Sequence, residues 1–129
     1  MSQSKRVLLV GLQPKLINYS EPDYAVFPGM DASKVQAALD ADVLSLNQMG
    51  YDAQLCLTDF GETAEATVAA ALEKMPYECV LIGAGVRTIR ANFLLFEKLI
   101  NVVHQKAPQA RICFNTKPND SVAAVQRWI

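Results

Sequence analysis

The chain alternates between short apolar runs and longer segments in which apolar residues recur at helical spacing. Residues 6–11 and 77–83 contain continuous apolar stretches that end in glycine, which predicts central strands covered on both faces. Residues 51–57 and 110–115 instead alternate apolar and polar positions, as half-covered edge strands do. These runs predict a sheet with two central and two edge strands.

Four segments between and after the strands carry the apolar spacing of helices: residues 31–49, 62–75, 91–107 and 120–128. Asp31 stands where the first helix needs an N-cap, while Gly50 and Pro76 are suited to end the first and second helices. The first helix is predicted to turn one apolar face inward: Val35, Leu39, Val43 and Leu46. The third is predicted to do the same: Phe93, Phe96, Ile100 and Val103.

The order of these elements predicts one α/β domain over residues 1–129. Each strand is followed by a helix, which implies parallel strands joined by right-handed crossovers. With the first and third strands central, the sheet order is 2-1-3-4. The first and last helices then cover one face and the middle two cover the other. We therefore expect a three-layer sandwich around a four-stranded parallel sheet.

Composition and charge narrow the range of partners. Half of the residues are apolar (51%) and the formal net charge is -1, so binding to nucleic acid or to a membrane is not expected. The cysteines Cys56, Cys79 and Cys113 lie in strand-like runs without disulfide-framework or zinc-site spacing, which predicts reduced thiols in a cytoplasmic protein. His104 is the only histidine, and no metal site or cofactor is predicted.

Residues 12–30 are the one irregular stretch, with three prolines and three aromatic residues after the first strand. Connections of this kind usually have about two to six residues, and a longer one commonly serves a function. The aromatic residues Tyr19, Tyr24 and Phe27 favour an ordered functional loop. A structural wrap that plugs the core and a mobile segment are the alternatives.

Ligands of open α/β sheets bind outside the carboxyl ends of the strands where the strand order reverses, here between strands one and three. Gly11, Leu12, Ala84 and Val86 come to this point. The topology also brings there the residues that we take as candidate ligand contacts: Gln13, Tyr19, Tyr24, Asp59, Gly83, Gly85, Arg87, Arg90, Asn115, Thr116 and Lys117.

Two of these candidates allow more than one interpretation. The run from Gly83 to Arg90 has glycines that let a backbone approach a ligand and arginines that suit a phosphate or carboxylate. The same run is also typical of a tight turn with solvated arginines. Asp59 is suited either to hold a ribose or to begin the next helix. The chain contains neither a dinucleotide fingerprint nor a P-loop.

Lys117-Pro118, between the last strand and a closing amphipathic helix, resembles the end of response-regulator receiver domains. The resemblance implies a flavodoxin-like fold. Receivers carry an acidic pair where this chain has residues 11–13, and a phosphorylated aspartate where it has Gly83 and Ala84. The chain therefore resembles a degenerate receiver that lacks the magnesium site and the phosphoryl acceptor.

Two functions follow as expectations. The first is a small-molecule-binding protein, its enzymatic activity left open, that holds an anionic ligand through Arg87, Arg90 and Lys117 beneath residues 12–30. The second is a non-catalytic, receiver-like interaction module that acts by homodimerisation or by partner docking. The apolar run at residues 93–96 favours a homodimer. A pocket beneath the loop that is lined by these basic side chains would support the first function. A loop that packs on a neighbouring chain and leaves no cavity would support the second.

Overall fold

The computed structural model describes residues 4–26, 28–117 and 120–129. The strands are β1 Arg6–Leu12, β2 Asp52–Thr58, β3 Cys79–Ile82 and β4 Arg111–Phe114. The α-helices are α1 Ala32–Gln48, α2 Ala64–Lys74, α3 Ala84–Arg87, α4 Phe93–Lys106 and α5 Ser121–Gln126. Short 3-10 turns occupy Pro14–Leu16, Pro22–Val26 and Arg90–Asn92. Phe27 and Pro118, which the sequence singled out, lie outside the described residues.

The strands form one all-parallel sheet in the predicted order, β2-β1-β3-β4. In its centre Val7 of β1 pairs with Cys79 of β3, and Val10 pairs with Ile82. Every residue of β3 is buried, whereas β4 at the edge is buried only at Cys113. The continuous and alternating apolar patterns therefore identified the central and edge strands correctly.

Helices cover both faces of the sheet. α2 and α4 pack on the face that carries Leu8 and Val80, while α1 and α5 pack on the face that carries Leu9 and Leu81. The prediction that the first and last helices share one face is confirmed. The result is a three-layer α/β fold.

Local sequence accounts for both ends of α1. The Asp31 carboxylate accepts a hydrogen bond from the Lys34 backbone N–H at 2.8 Å, as an N-cap does. After the helix, Gly50 adopts a φ of +96°, a left-handed conformation that side-chain-bearing residues rarely adopt. No helix within the described ranges has the length and apolar character needed to cross a bilayer.

The buried face of α4 differs from the prediction. Its buried residues are Leu95, Leu99, Val102 and Val103. Phe93, predicted to face inward, is 61% exposed, and Leu94 beside it is 66% exposed. The exception is confined to the first turn, where four consecutive apolar residues, 93–96, do not by themselves indicate which of them face inward. Packing against α2 and the sheet determines which side is buried.

A buried carboxylate lies between α1 and α5. Asp42 is 7% exposed, and burial raises its pKa above the usual range for an aspartate. A hydrogen bond from Ser121 opposes this shift, while the charge of Asp120 adds to it. The folded protein therefore holds a proton on Asp42 at pH values at which the unfolded chain has lost it.

This difference predicts that Asp42→Asn stabilises the protein near neutral pH. A carboxyl whose pKa is raised by folding lowers the unfolding free energy as the pH rises from the unfolded pKa through the folded pKa. We expect the variant to have a higher unfolding free energy than wild type in urea titrations at pH 7. This difference should disappear toward pH 3. Asp40→Asn, an exposed position on the same helix, is the control. A difference in unfolding free energy that does not change with pH would contradict the raised pKa of Asp42.

Candidate functional site

Neighbouring glycines lie at the carboxyl ends of the two central strands, Gly11 as the penultimate residue of β1 and Gly83 directly after β3. Side chains alternate along a strand, so Gly11 follows Leu9 and Gly83 follows Leu81 on the face that α1 and α5 cover. The Gly83 N–H donates to the Val10 carbonyl at 2.9 Å, which sets the two glycines side by side. A Cβ atom added to Gly11 would meet no atom within 4 Å. The paired glycines therefore leave space between the sheet and α1.

This space is a cavity of about 80 Å³, which we call the central cavity. It lies at the carboxyl ends of β1 and β3, at the predicted switch point, under residues 12–30. Residues from β1, the loop, α1, the β3–α3 turn and the end of β4 line it: Gly11, Leu12, Ile17, Tyr24, Met30, Val35, Leu39, Gly83, Ala84, Gly85, Val86 and Asn115. None of these lining residues carries a charge.

The first two turns of α1 form one wall of the central cavity. Val35 and Leu39 are half-buried and line it, whereas Leu46 near the other end of the helix is fully buried against the sheet. Helical spacing placed all of these residues on the correct face. It did not indicate that the upper part of that face borders a cavity, because the cavity depends on glycines in other elements.

Asn115 and Tyr24 supply the polar side chains of the lining. The Asn115 Oδ1 atom accepts from the Ala84 backbone N–H at 2.7 Å, and its Nδ2 atom donates to the Ser121 hydroxyl at 3.0 Å. Asn115 thereby fixes the start of α3 against α5. Burial raises the pKa of Tyr24 to about 12, so its phenol stays protonated at neutral pH.

Arg87 lies against the end of β4 and does not line the central cavity. Its Nη2 atom donates to the Asn115 carbonyl at 2.8 Å, and its Cζ atom lies 5.7 Å from the centroid of the Phe114 ring. The side chain is part-buried in this arrangement, not the exposed group at the crevice that the sequence led us to expect. The guanidinium stabilises the β4 end through a carbonyl and an aromatic face.

Arg90 and Lys117 also lie outside the cavity lining. The Arg90 Nη2 atom donates to Asp23 at 3.0 Å in a salt bridge that leaves the Arg90 side chain 87% exposed. Lys117 is exposed, and its backbone N–H donates to Asp120 at 3.4 Å. None of the three predicted basic side chains therefore lines the central cavity.

Three further candidates stabilise turns. Asp59 accepts hydrogen bonds from the backbone of Gly61 and from both the backbone and hydroxyl of Thr63, and these bonds lower its pKa. Asp59 therefore stabilises the turn that leads into α2, while the helix itself begins at Ala64 with Thr63 at the N-cap position. Thr116 donates through its backbone N–H and its hydroxyl to Asp120. The backbone N–H of Gln13 donates to the Thr58 carbonyl, and its side chain does not line the cavity.

Four of the candidate residues therefore meet at one cavity: Tyr24, Gly83, Gly85 and Asn115. Tyr19 stands behind Tyr24, with 5.6 Å between the ring centroids. The candidate set omitted most of the apolar lining: Leu12, Ile17, Met30, Val35, Leu39 and Val86. One signal pointed to the cavity, namely a glycine at the end of each central apolar run.

The lining is better suited to hold an apolar group away from water than to catalyse a reaction. Its side chains are aliphatic or aromatic apart from one amide, and that amide is hydrogen-bonded within the protein. Within the described residues, no three histidine, cysteine, aspartate or glutamate side chains come together to hold a metal ion. Such a cavity can hold an uncharged group of matching size.

Comparison with known proteins does not assign the chain to a family. No protein-family model matches the chain, and no curated protein matches it in sequence.

Proposed function

We propose that this protein binds a small molecule at the carboxyl ends of β1 and β3, with an uncharged apolar part of the ligand held in the central cavity. The observation that carries the proposal is the uncharged lining at the switch point, where open α/β sheets bind their ligands. The loop of residues 12–30 lies over the cavity through Ile17, Tyr24 and Met30. An ordered functional loop accounts for its unusual length.

Because the lining carries no charge, it favours an apolar ligand group and not the anion that we expected from the sequence. A phosphate or carboxylate inside the central cavity would lose its hydration and gain no cation, which is costly. The arginines that suggested an anion are bonded to the Asn115 carbonyl and to the Asp23 carboxylate. The cavity volume of about 80 Å³ suits a short alkyl group or the inserted part of a single ring.

Two small probes distinguish an apolar from an anionic ligand. In titrations followed by amide NMR, we expect neutral phenol to shift the Gly11, Gly83 and Gly85 resonances in a saturable way. Inorganic phosphate should leave them unchanged. Saturable shifts with phosphate alone, centred on Arg87 or Lys117, would instead support the anion site expected from the sequence.

Filling the cavity tests whether phenol binds inside it. Gly11→Val adds a β-branched side chain to a strand position where a Cβ meets no atom within 4 Å. We expect it to preserve folding and to weaken phenol binding by about tenfold or more, since the new atoms occupy the ligand volume. Ala66→Val, an exposed substitution on α2, should bind phenol as wild type does. Unchanged affinity in Gly11→Val would place the phenol elsewhere.

A second candidate function is homodimerisation as a receiver-like interaction module. It is favoured by the start of α4, where Phe93 and Leu94 are 61% and 66% exposed and adjacent in sequence. Large apolar side chains exposed together are typical of protein interaction sites. This candidate and the ligand site involve different residues and are compatible.

For this candidate we predict a dimer in sedimentation equilibrium at about 0.1 mM, with twice the chain mass of 14.1 kDa. The double substitution Phe93→Ser and Leu94→Ser should give the monomer mass, because it removes the exposed apolar pair. Leu44→Ser, at a side chain 58% exposed on α1, is the matched control and should remain dimeric. A wild-type protein that is monomeric at this concentration would refute the proposal.

A further inference from the structure

Tyr24 separates the central cavity from two outer hollows. One hollow, of about 270 Å³, lies within the loop beside Tyr19 and Pro28. The other, of about 260 Å³, lies beside Leu16 and Phe60. Tyr24 lines all three spaces, so it lies where the partly open central cavity meets the two outer hollows.

The Tyr24 ring has a neighbour on each side. Tyr19 packs at a tilt against it and donates its hydroxyl hydrogen to the Pro14 carbonyl at 3.0 Å, which ties the ring pair to the turn after β1. On the cavity side, a Cβ added to Gly85 would lie 3.8 Å from the Tyr24 Oη atom. The Tyr24 hydroxyl therefore lies at ordinary contact distance from the Gly85 position on the cavity side.

The residue before Tyr24 fastens this segment to the body of the protein. The Asp23 carboxylate accepts hydrogen bonds from the Arg90 backbone N–H at 2.7 Å, from Nε at 3.2 Å and from Nη2 at 3.0 Å. The bonds to Arg90 lower the pKa of Asp23, so the carboxylate stays charged at neutral pH. The Arg90 side chain is 87% exposed and the Asp23 side chain is 20% exposed, and an ion pair with one solvated partner is weak enough to open reversibly.

We propose that Tyr24 is the gate of the central cavity and that the ion pair between Asp23 and Arg90 is the latch that keeps the gate closed. The inference rests on the proposed function, because it describes how a ligand enters that same cavity. Loss of the ion pair leaves Asp23 held only by the Arg90 backbone N–H, and opening of that remaining bond releases the Pro22–Val26 turn. The Tyr24 ring then moves away from Gly85, and the cavity joins the outer hollows. The gate admits a small apolar group during brief openings.

A thiol placed at the cavity floor measures the opening without any ligand. Gly11→Cys introduces this thiol where a Cβ has free space, and methyl methanethiosulfonate is the small reagent that labels it. Peptide mass spectrometry separates labelling at position 11 from labelling of the buried Cys56, Cys79 and Cys113. The labelling rate then reports how often the gate opens.

In this background we expect Arg90→Gln to accelerate labelling at position 11 by about two- to fivefold, since an exposed ion pair holds the latch closed. Tyr24→Ala should accelerate it further by removing the ring itself. Lys106→Gln, which breaks a surface ion pair with Glu73 at 2.9 Å on α4 and α2, is the matched control and should not change the rate. Equal rates in the Arg90→Gln and control proteins would overturn the latch.

Amide hydrogen exchange gives a second readout in a chain that keeps Gly11. The Tyr24 N–H donates to the Glu21 carbonyl at 2.9 Å and should exchange faster in Arg90→Gln than in wild type or Lys106→Gln. Exchange that is unchanged would also count against the latch. Phenol titration of the wild type tests the binding function separately. If the wild type does not bind phenol but Arg90→Gln still accelerates labelling, the gate is supported and the proposed ligand is not.

Discussion

The missing side chains at Gly11 and Gly83 are the constraint on which the ligand site depends. On every other described row of this sheet face, side chains such as Leu9 and Leu81 fill the space beneath α1 and α5. At the carboxyl ends that layer is absent, and interiors do not leave such a gap without some other group to cover it. The loop covers it with Ile17. The glycine pair leaves the space and the long loop covers it, so the two features depend on each other.

Charged residues at the same edge of the sheet stabilise turns. Arg87 donates to the Asn115 carbonyl, and Arg127 donates to the Phe114 carbonyl at 2.9 Å, so arginines satisfy both carbonyls where β4 ends. Asp59 holds the turn before α2 in a similar way. These bonds satisfy polar backbone groups that would otherwise end unpaired at a strand or helix terminus. At this edge of the sheet, these charged side chains are therefore bonded within the protein beside an apolar opening.

Much of the fold could be predicted because it depends on periodicity. Continuous and alternating apolar runs distinguished central from edge strands, and the order of elements then determined the sheet order and the helix layers. Periodicity was wrong at the first turn of α4, where residues 93–96 are all apolar and Phe93 remained exposed. It also missed α3, a single turn whose start is stabilised by Asn115 from a distant strand. Both errors arise where tertiary contacts decide between locally equivalent conformations.

The sequence by itself determined the parallel sheet, the two helix layers and the glycine at the end of each central strand, because these follow from side-chain alternation and from local chain geometry. Only the tertiary structure decided what the switch point contains. Arg90 meets Asp23 across 67 residues, and Arg87 meets the Asn115 carbonyl across 28. A long arginine side chain bonds to an acceptor that the fold brings within reach. The residues next to it in sequence do not indicate which acceptor that is. The same assembly of distant elements made the opening apolar, where sequence reasoning had expected a cluster of cations.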